Sequence, residues 1–237
     1  MMLTPHGIRE WLGLTIIIAA VAIPLGLFIN WWWTIPFILL WLAVLSFFRD
    51  PIRSLPRNLK PGDMLSPGDG TVSAVLHVDN HEAVNGPAVI VRIFLSLLNV
   101  HVNRSPCDGE VVALRYQKGA FHDARSEESA RENENNLIIM IKPDNEAIGV
   151  RQVSGKVARR IVCPLHAGDR LARGQKFGMI KFGSTAELIL PRPNDVTVHV
   201  KKGDKVKAGL TILATLPPYE GDEYDAPPQR DNSGAVV

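Results

Sequence analysis

Three short segments of this 237-residue chain hold residue types that chemistry uses. Lys181-Phe182-Gly183-Ser184-Thr185-Ala186-Glu187 sets a Gly-Ser bond between two apolar, strand-like runs. Ser66-Pro67-Gly68-Asp69-Gly70-Thr71-Val72 sets a carboxylate in a glycine-rich turn. The third, Leu97 to Pro106, follows an apolar run with His101-Val102-Asn103-Arg104. A Gly-Ser bond is an ordinary turn element, since both residues suit turns for conformational reasons. It is also a bond that a protein can cut in itself, leaving the serine as a catalytic ketone. Singly, Asp69 reads as a turn residue, His101 as a satisfied or exposed histidine, and Arg104 as a surface charge.

Composition narrows the setting. A net charge of +2 gives no electrostatic footprint for nucleic acid. Cys107 and Cys163 are far apart and lack a CxxC partner. That speaks against a disulfide scaffold or a zinc site and for a reducing compartment. The apolar residues are unevenly spread: Leu12 to Phe48 carries no charge.

That stretch holds two uncharged runs, Leu12–Ile29 and Trp31–Phe48, each 18 residues long. As helices they would span roughly 27 Å, close to a hydrocarbon core of about 30 Å. Asn30-Trp31-Trp32-Trp33 lies between them, and tryptophan favours the membrane interface. The expectation is an N-terminal α-helical membrane hairpin over residues 1–50. Pro24 and Pro36 leave a shallow insertion open. Arg9 precedes the runs, and Arg49, Arg53, Arg57 and Lys60 follow them. The positive-inside tendency then sets the remaining chain on the cytoplasmic side of a cell membrane. The four trailing cations would meet anionic head groups, each worth about 1 kcal/mol.

The elements that must position the three segments read as mainly β over residues 51–216. Thr71–Val75 and Asp195–Val200 alternate, and Val89–Leu95 and Leu137–Ile141 are apolar runs of strand length. Ser126–Asn136 is polar enough for an exposed helix or a loop, and the Pro- and acid-rich tail, 217–237, reads as disordered. Ala167-Gly168-Asp169-Arg170-Leu171 is echoed by Lys202-Gly203-Asp204-Lys205-Val206. Such Gly-Asp turns occur in lipoyl and biotinyl β-sandwich modules, so the expected fold is a small β-sandwich with two hammerhead-type halves. No lysine stands at a hairpin tip to carry a prosthetic group.

In this order, behind an apolar N-terminal segment, these motifs resemble the phosphatidylserine decarboxylase family. The resemblance covers most of the chain. It includes Phe47-Phe48-Arg49-Asp50-Pro51, the Asp69 turn, the His101 segment, the stretch Phe121 to Asn136, and Gly183-Ser184-Thr185. The length is similar to that of the family's short bacterial and archaeal branch.

The resemblance implies a proenzyme cut between Gly183 and Ser184. Its products would be a large chain, 1–183, and a small chain, 184–237, that stay together as a heterodimer. The serine hydroxyl would attack the preceding carbonyl, which glycine leaves unshielded. The resulting ester eliminates to dehydroalanine, which loses ammonia to leave a covalent pyruvoyl group derived from Ser184. Serine needs a base for this, and the matching motifs nominate His101, oriented by Asp69. The pyruvoyl ketone would form a Schiff base with phosphatidylserine in the membrane, release carbon dioxide and yield phosphatidylethanolamine, with no metal or diffusible cofactor. Longer relatives resemble a His-x-x-His pattern where this chain has His101 and Arg104. Either His101 serves both steps, or His77, His81, His122 or His166 assists. Two alternatives stay open: a membrane-tethered lipoyl-like adaptor without catalysis, and the same chemistry on archaetidylserine. The oligomeric state beyond the two chains also stays open.

Overall fold

A computed structural model describes residues 2–120, 122, 132–155, 160–181 and 184–221. Phe182, Gly183, most of the Phe121 to Asn136 stretch and the tail beyond residue 221 lie outside these. The chain divides into two units, residues 1–52 and 53–237.

The first unit is helical. Helix α1 spans Ile8–Phe28 and helix α2 spans Ile35–Phe47. Asn30 Oδ1 accepts the Trp32 N–H at 3.0 Å and starts a 3-10 turn at Trp31–Thr34. Pro36 lies in the first turn of α2, where its missing N–H leaves no helical bond unmade. The 3-10 turn takes up the start of the second apolar run, so α2 has 13 residues rather than the 18 expected. The Trp41 indole donates to the Thr15 hydroxyl at 3.0 Å and ties α2 to α1. Pro5–Phe28, 24 residues, is long and apolar enough to cross a membrane, and little of it is buried.

Among the described residues the second unit is mainly β. In chain order its strands are β1 (Asp63–Leu65), β2 (Gly70–His81), β3 (Gly86–Leu95), β4 (Val102–Arg104) and β5 (Gly109–Gln117). There follow β6 (Asn135–Ile141), β7 (Ala147–Val153), β8 (Arg160–Val162), β9 (Arg170–Leu171) and β10 (Lys176–Lys181). Last come β11 (Ser184–Pro191), β12 (Thr197–Val198), β13 (Lys205–Val206) and β14 (Ile212–Thr215). An eight-stranded curled sheet runs β13-β2-β3-β11-β7-β6-β5-β9. Two three-stranded sheets, β4-β10-β8 and β1-β14-β12, complete the unit. Bulges at Val72/Ala74 in β2 and Val111/Ala113 in β5 raise the local twist and help the large sheet curl.

Strand β11 is central and covered on both faces. Ala186, Leu188 and Leu190 join the main core with Val91, Ile93, Leu95, Ile148 and Val150. Ile189 joins a second cluster with Ala88, Ile90, Leu137 and Ile139. Because side chains alternate along a strand, Ser184 projects to the main-core face and Glu187 to the other.

The Gly-Asp echo belongs to a longer internal repeat. Ser66-Pro67-Gly68-Asp69-Gly70 is matched by Ser105-Pro106-Cys107-Asp108-Gly109. The Arg104 N–H donates to Pro67 O at 3.1 Å, and its counterpart, the Leu65 N–H, donates to Pro106 O at 2.9 Å. Gly168 and Gly203 take φ of 93° and 99°, a region suited to glycine. The aspartate after each accepts a backbone N–H, Asp169 from His166 at 2.8 Å and Asp204 from Lys201 at 2.9 Å.

Candidate active site

The three segments converge where the chain crosses between sheets. Strand β11 pairs with β3 in the large sheet, and the register sets Ser184 opposite Leu95. Strand β10 pairs with β4 in a small sheet, with Met179 opposite Val102. The chain therefore crosses from large to small sheet at Ser96–His101 and returns between Lys181 and Ser184. The His101 carbonyl accepts the Ile180 N–H at 3.3 Å, which sets the histidine beside a residue that precedes Ser184 by four positions.

The Asp69 turn closes on the same junction. Pro67 O accepts the Arg104 N–H and, at 3.2 Å, the Asn103 side-chain amide. A Cβ on Gly68 would sit 3.3 Å from both Ala186 Cβ and Leu95 Cδ1, so a bare glycine lets the turn lie against the start of β11. The Asp69 carboxylate itself receives Arg53 at two points, 2.5 and 2.7 Å, and the Ala208 N–H at 2.8 Å. The His101 Nδ1 lies 2.9 Å from Asn99 O. A carbonyl only accepts, so Nδ1 carries a proton and Nε2 of the neutral ring holds the basic lone pair. The structure thus brings the Asp69 turn to the Ser184 strand while giving both carboxylate oxygens to Arg53.

Arg53 and Arg104 both depart from the sequence expectation. The Arg53 side chain is 8% exposed, held inside the protein by Asp69 rather than offered to lipid. Arg104 is buried and donates to Gly174 O at 3.0 Å. In each case a carboxylate or carbonyl distant in sequence satisfies the charge, a pairing that local sequence does not reveal.

Ser184 is fully buried, and among the described residues its Oγ has no hydrogen-bond partner. One buried hydroxyl shares that state beside it. Strands β7 and β11 pair Val153 with Thr185, and Ser154 and Ser184 are the next residues beyond that last pair. Ser154 is also fully buried, with an unpartnered Oγ among the described residues. A buried polar atom without a partner costs about 1–3 kcal/mol, so two together mark a functional position.

A chain of buried amides supports this pair. Asn136 Nδ2 donates to Gln152 Oε1 at 3.3 Å, Gln152 Nε2 to Asn103 Oδ1 at 2.9 Å, and Asn103 on to Pro67 O. Gln152 lies opposite Ala186, two residues from Ser184 on the same face. Asn133 Nδ2 donates to Ser154 O at 2.8 Å and to His122 O at 2.9 Å. Of the four spare histidines, His122 is therefore the one tied to Ser154. His77 and His81 lie roughly 23 and 36 Å along β2 from Gly70, by strand rise, and His166 is exposed. Sequence reading passed over Asn103, Gln152 and Ser154. Their types are common, and only register reveals their convergence.

Other groups are held apart from this chemistry. Burial pushes the Cys107 thiol up to about 12 and the Cys163 thiol up to about 11, so neither is a ready nucleophile. A cleft of about 480 Å³ runs along Ser73–Leu76, Arg92 and Val200–Lys202, and Ser184, His101 and Asp69 do not line it. Among the described residues no group of three or more His, Cys, Asp or Glu could hold a metal.

The fold is that of a mainly β protein whose chain begins with an apolar helix, and the candidate site gathers around the buried Ser184 where two sheets meet. A family model described as phosphatidylserine decarboxylase matches residues 40–214. The chain is 41% identical over 215 residues to a phosphatidylserine decarboxylase proenzyme of Aromatoleum aromaticum, covering 90% of this chain and 98% of that one. It is 40% identical over 212 residues to one of Rhodopirellula baltica, covering 87% of each. Against that of Nitrosomonas eutropha the identity is 39% over 212 residues, covering 89% and 96%. The chain belongs to the phosphatidylserine decarboxylase family and is a decarboxylase.

Proposed function

We propose that this chain is a proenzyme that cuts itself between Gly183 and Ser184 and then decarboxylates phosphatidylserine to phosphatidylethanolamine. The observation that carries the reading is the Ser184 hydroxyl, fully buried and unpartnered among the described residues at the start of β11. A serine left in that state is available to attack the carbonyl before it. His101 Nε2 takes the hydroxyl proton, and the Asn99 carbonyl holds the ring in the tautomer that permits this. Oxygen–carbonyl attack forms an ester between residues 183 and 184, and loss of the α-proton breaks the Cβ–O bond. The large chain keeps the oxygen as its new carboxylate. Hydrolysis of the resulting enamine releases ammonia and leaves a pyruvoyl group.

The site fits that group, which is small, lacks a charged amine and ends a strand whose flanking face is apolar. When formed, it supplies an electron sink for loss of carbon dioxide. The Asp69 turn, braced by Arg53, and the amide chain through Gln152 and Asn103 hold the junction in shape. His101 returns a proton to the α-carbon. The two chains, 1–183 and 184–237, stay joined as a heterodimer because β11 remains paired with β3 and β7.

Pro5–Phe28 anchors the protein to the cell membrane, with α2 as the second arm of a hairpin. The cations that follow the apolar runs support a cytoplasmic second unit. The repeated Gly-Asp turns support a β unit of two related, lipoyl-like halves. Family membership favours the enzyme over an adaptor. The test is Ser184→Ala: wild-type protein should run as two chains and form phosphatidylethanolamine, while the variant stays whole and inactive. An active variant overturns the reading.

A further inference from the structure

The crossing at Ser96–His101 exposes two leucines beside the candidate site. Leu97 is 50% and Leu98 82% exposed, in a unit whose other large aliphatic side chains are mostly buried. They are held outward by a built turn. Asn99 Oδ1 accepts the Ser96 N–H at 2.9 Å and the Ser96 hydroxyl at 2.7 Å, and the Asn99 N–H returns to Ser96 O at 2.9 Å. Both ends of the turn are anchored at the site, Leu95 opposite Ser184 and the His101 carbonyl on Ile180. Ser184 is fully buried, while the family's substrate carries acyl chains that leave the bilayer only at large cost.

We propose that Leu97 and Leu98 form a wedge that enters the lipid surface and sets the mouth of the site against the bilayer. The occupant is a phospholipid bilayer, chosen because two adjacent exposed leucines on a rigid turn suit the acyl boundary. The turn also ends at the histidine that the chemistry uses. This inference rests on the placement of the site at Ser184. The wedge lets the head group reach the buried serine while the acyl chains stay in the bilayer.

The full chain in liposomes tests this with two readouts. Leu97→Ser/Leu98→Ser should self-cleave normally and turn over monomeric short-chain phosphatidylserine within twofold of wild type. Its turnover of bilayer phosphatidylserine should fall at least tenfold, and Leu97→Phe/Leu98→Phe should restore it. Equal bilayer rates, or equal loss on both substrates, overturn the proposal. In a Cys163→Ser background, a dye on Leu98→Cys should be quenched by nitroxide-labelled lipid, and one on Asp79→Cys, at the far end of β2, should not. Absence of quenching at position 98 overturns the wedge even if the chain proves uncut. An uncut wild-type chain overturns the Ser184 reading alone.

Discussion

Asp69 and Asp108 occupy equivalent turns of an internal repeat. Each accepts one backbone N–H from the facing loop, Asp69 from Ala208 at 2.8 Å and Asp108 from Arg173 at 2.9 Å. Asp69 additionally receives the buried Arg53 guanidinium. The shared bond is therefore a fold element, and the ion pair is what the site end adds. Asp108→Asn should cost about 1 kcal/mol and leave self-cleavage intact. Asp69→Asn strands a buried cation, should cost about 3–5 kcal/mol and should slow cleavage. Urea denaturation and a cleavage time course on both variants check this; equal effects would contradict it.

Ser154 and Ser184 lie just beyond the Val153–Thr185 pair that ends the β7–β11 ladder. Ser154→Ala removes one hydroxyl from the pair without adding bulk. A hydrogen bond of about 1 kcal/mol from Ser154 that forms only during the attack corresponds to a roughly five- to tenfold slowing of chain cleavage when it is lost. Stability should stay level or rise, since an unpartnered buried hydroxyl is removed. Unchanged cleavage kinetics would exclude Ser154 from the step.

Glu187, on the opposite face of β11, lies in register between Arg92 and Arg151. It is fully buried and binds both, at 2.6 and 2.5 Å. Glu187→Gln keeps the volume and removes the charge between two mostly buried guanidinium groups. A loss of about 3 kcal/mol is expected in denaturant melts. A neutral effect would show the network to be replaceable.

His81 gives a pH signature. Burial, then the Arg151 charge, holds its pKa below the ordinary 6.5, outweighing Glu187 and Glu82. Its Nδ1 accepts the Ala83 N–H at 3.1 Å, which requires the neutral ring. The unfolded ring binds its proton near 6.5, so below that pH the unfolded state takes up more protons than the folded one. This contribution to stability is full above about pH 6.5 and is lost as pH falls toward the folded value. His81→Gln should flatten that part of the stability–pH curve relative to wild type. Parallel curves would contradict the assignment.

Alternation and apolar runs made much of the β unit legible. Thr71–Val75, Val89–Leu95 and Leu137–Ile141 all lie within strands. Asp195–Val200 narrows to the strand Thr197–Val198, which pairs with Thr215 and Ala214 of β14. Ser184, His101 and Asp69 stood out by type, and their segments do converge. What convergence means for each side chain was not legible, because it depends on register between strands distant in sequence. Arg53 is the clearest case: beside other linker cations it read as lipid-facing, yet Asp69 draws it inside. The repeat is written in two places, Ser-Pro-x-Asp-Gly at 66–70 and 105–109 and Gly-Asp at 168–169 and 203–204, and the hydrogen bonds between distant turns are what join them into one unit.

The central claim is that Ser184 is consumed by the protein's own chemistry. Intact mass spectrometry of the purified protein tests it most directly. The expected result is a fragment covering residues 184–237, lighter by one ammonia than simple hydrolysis would leave, alongside a fragment ending at Gly183. An active preparation containing the uncut chain alone, or a small fragment beginning with an unmodified serine, would contradict it.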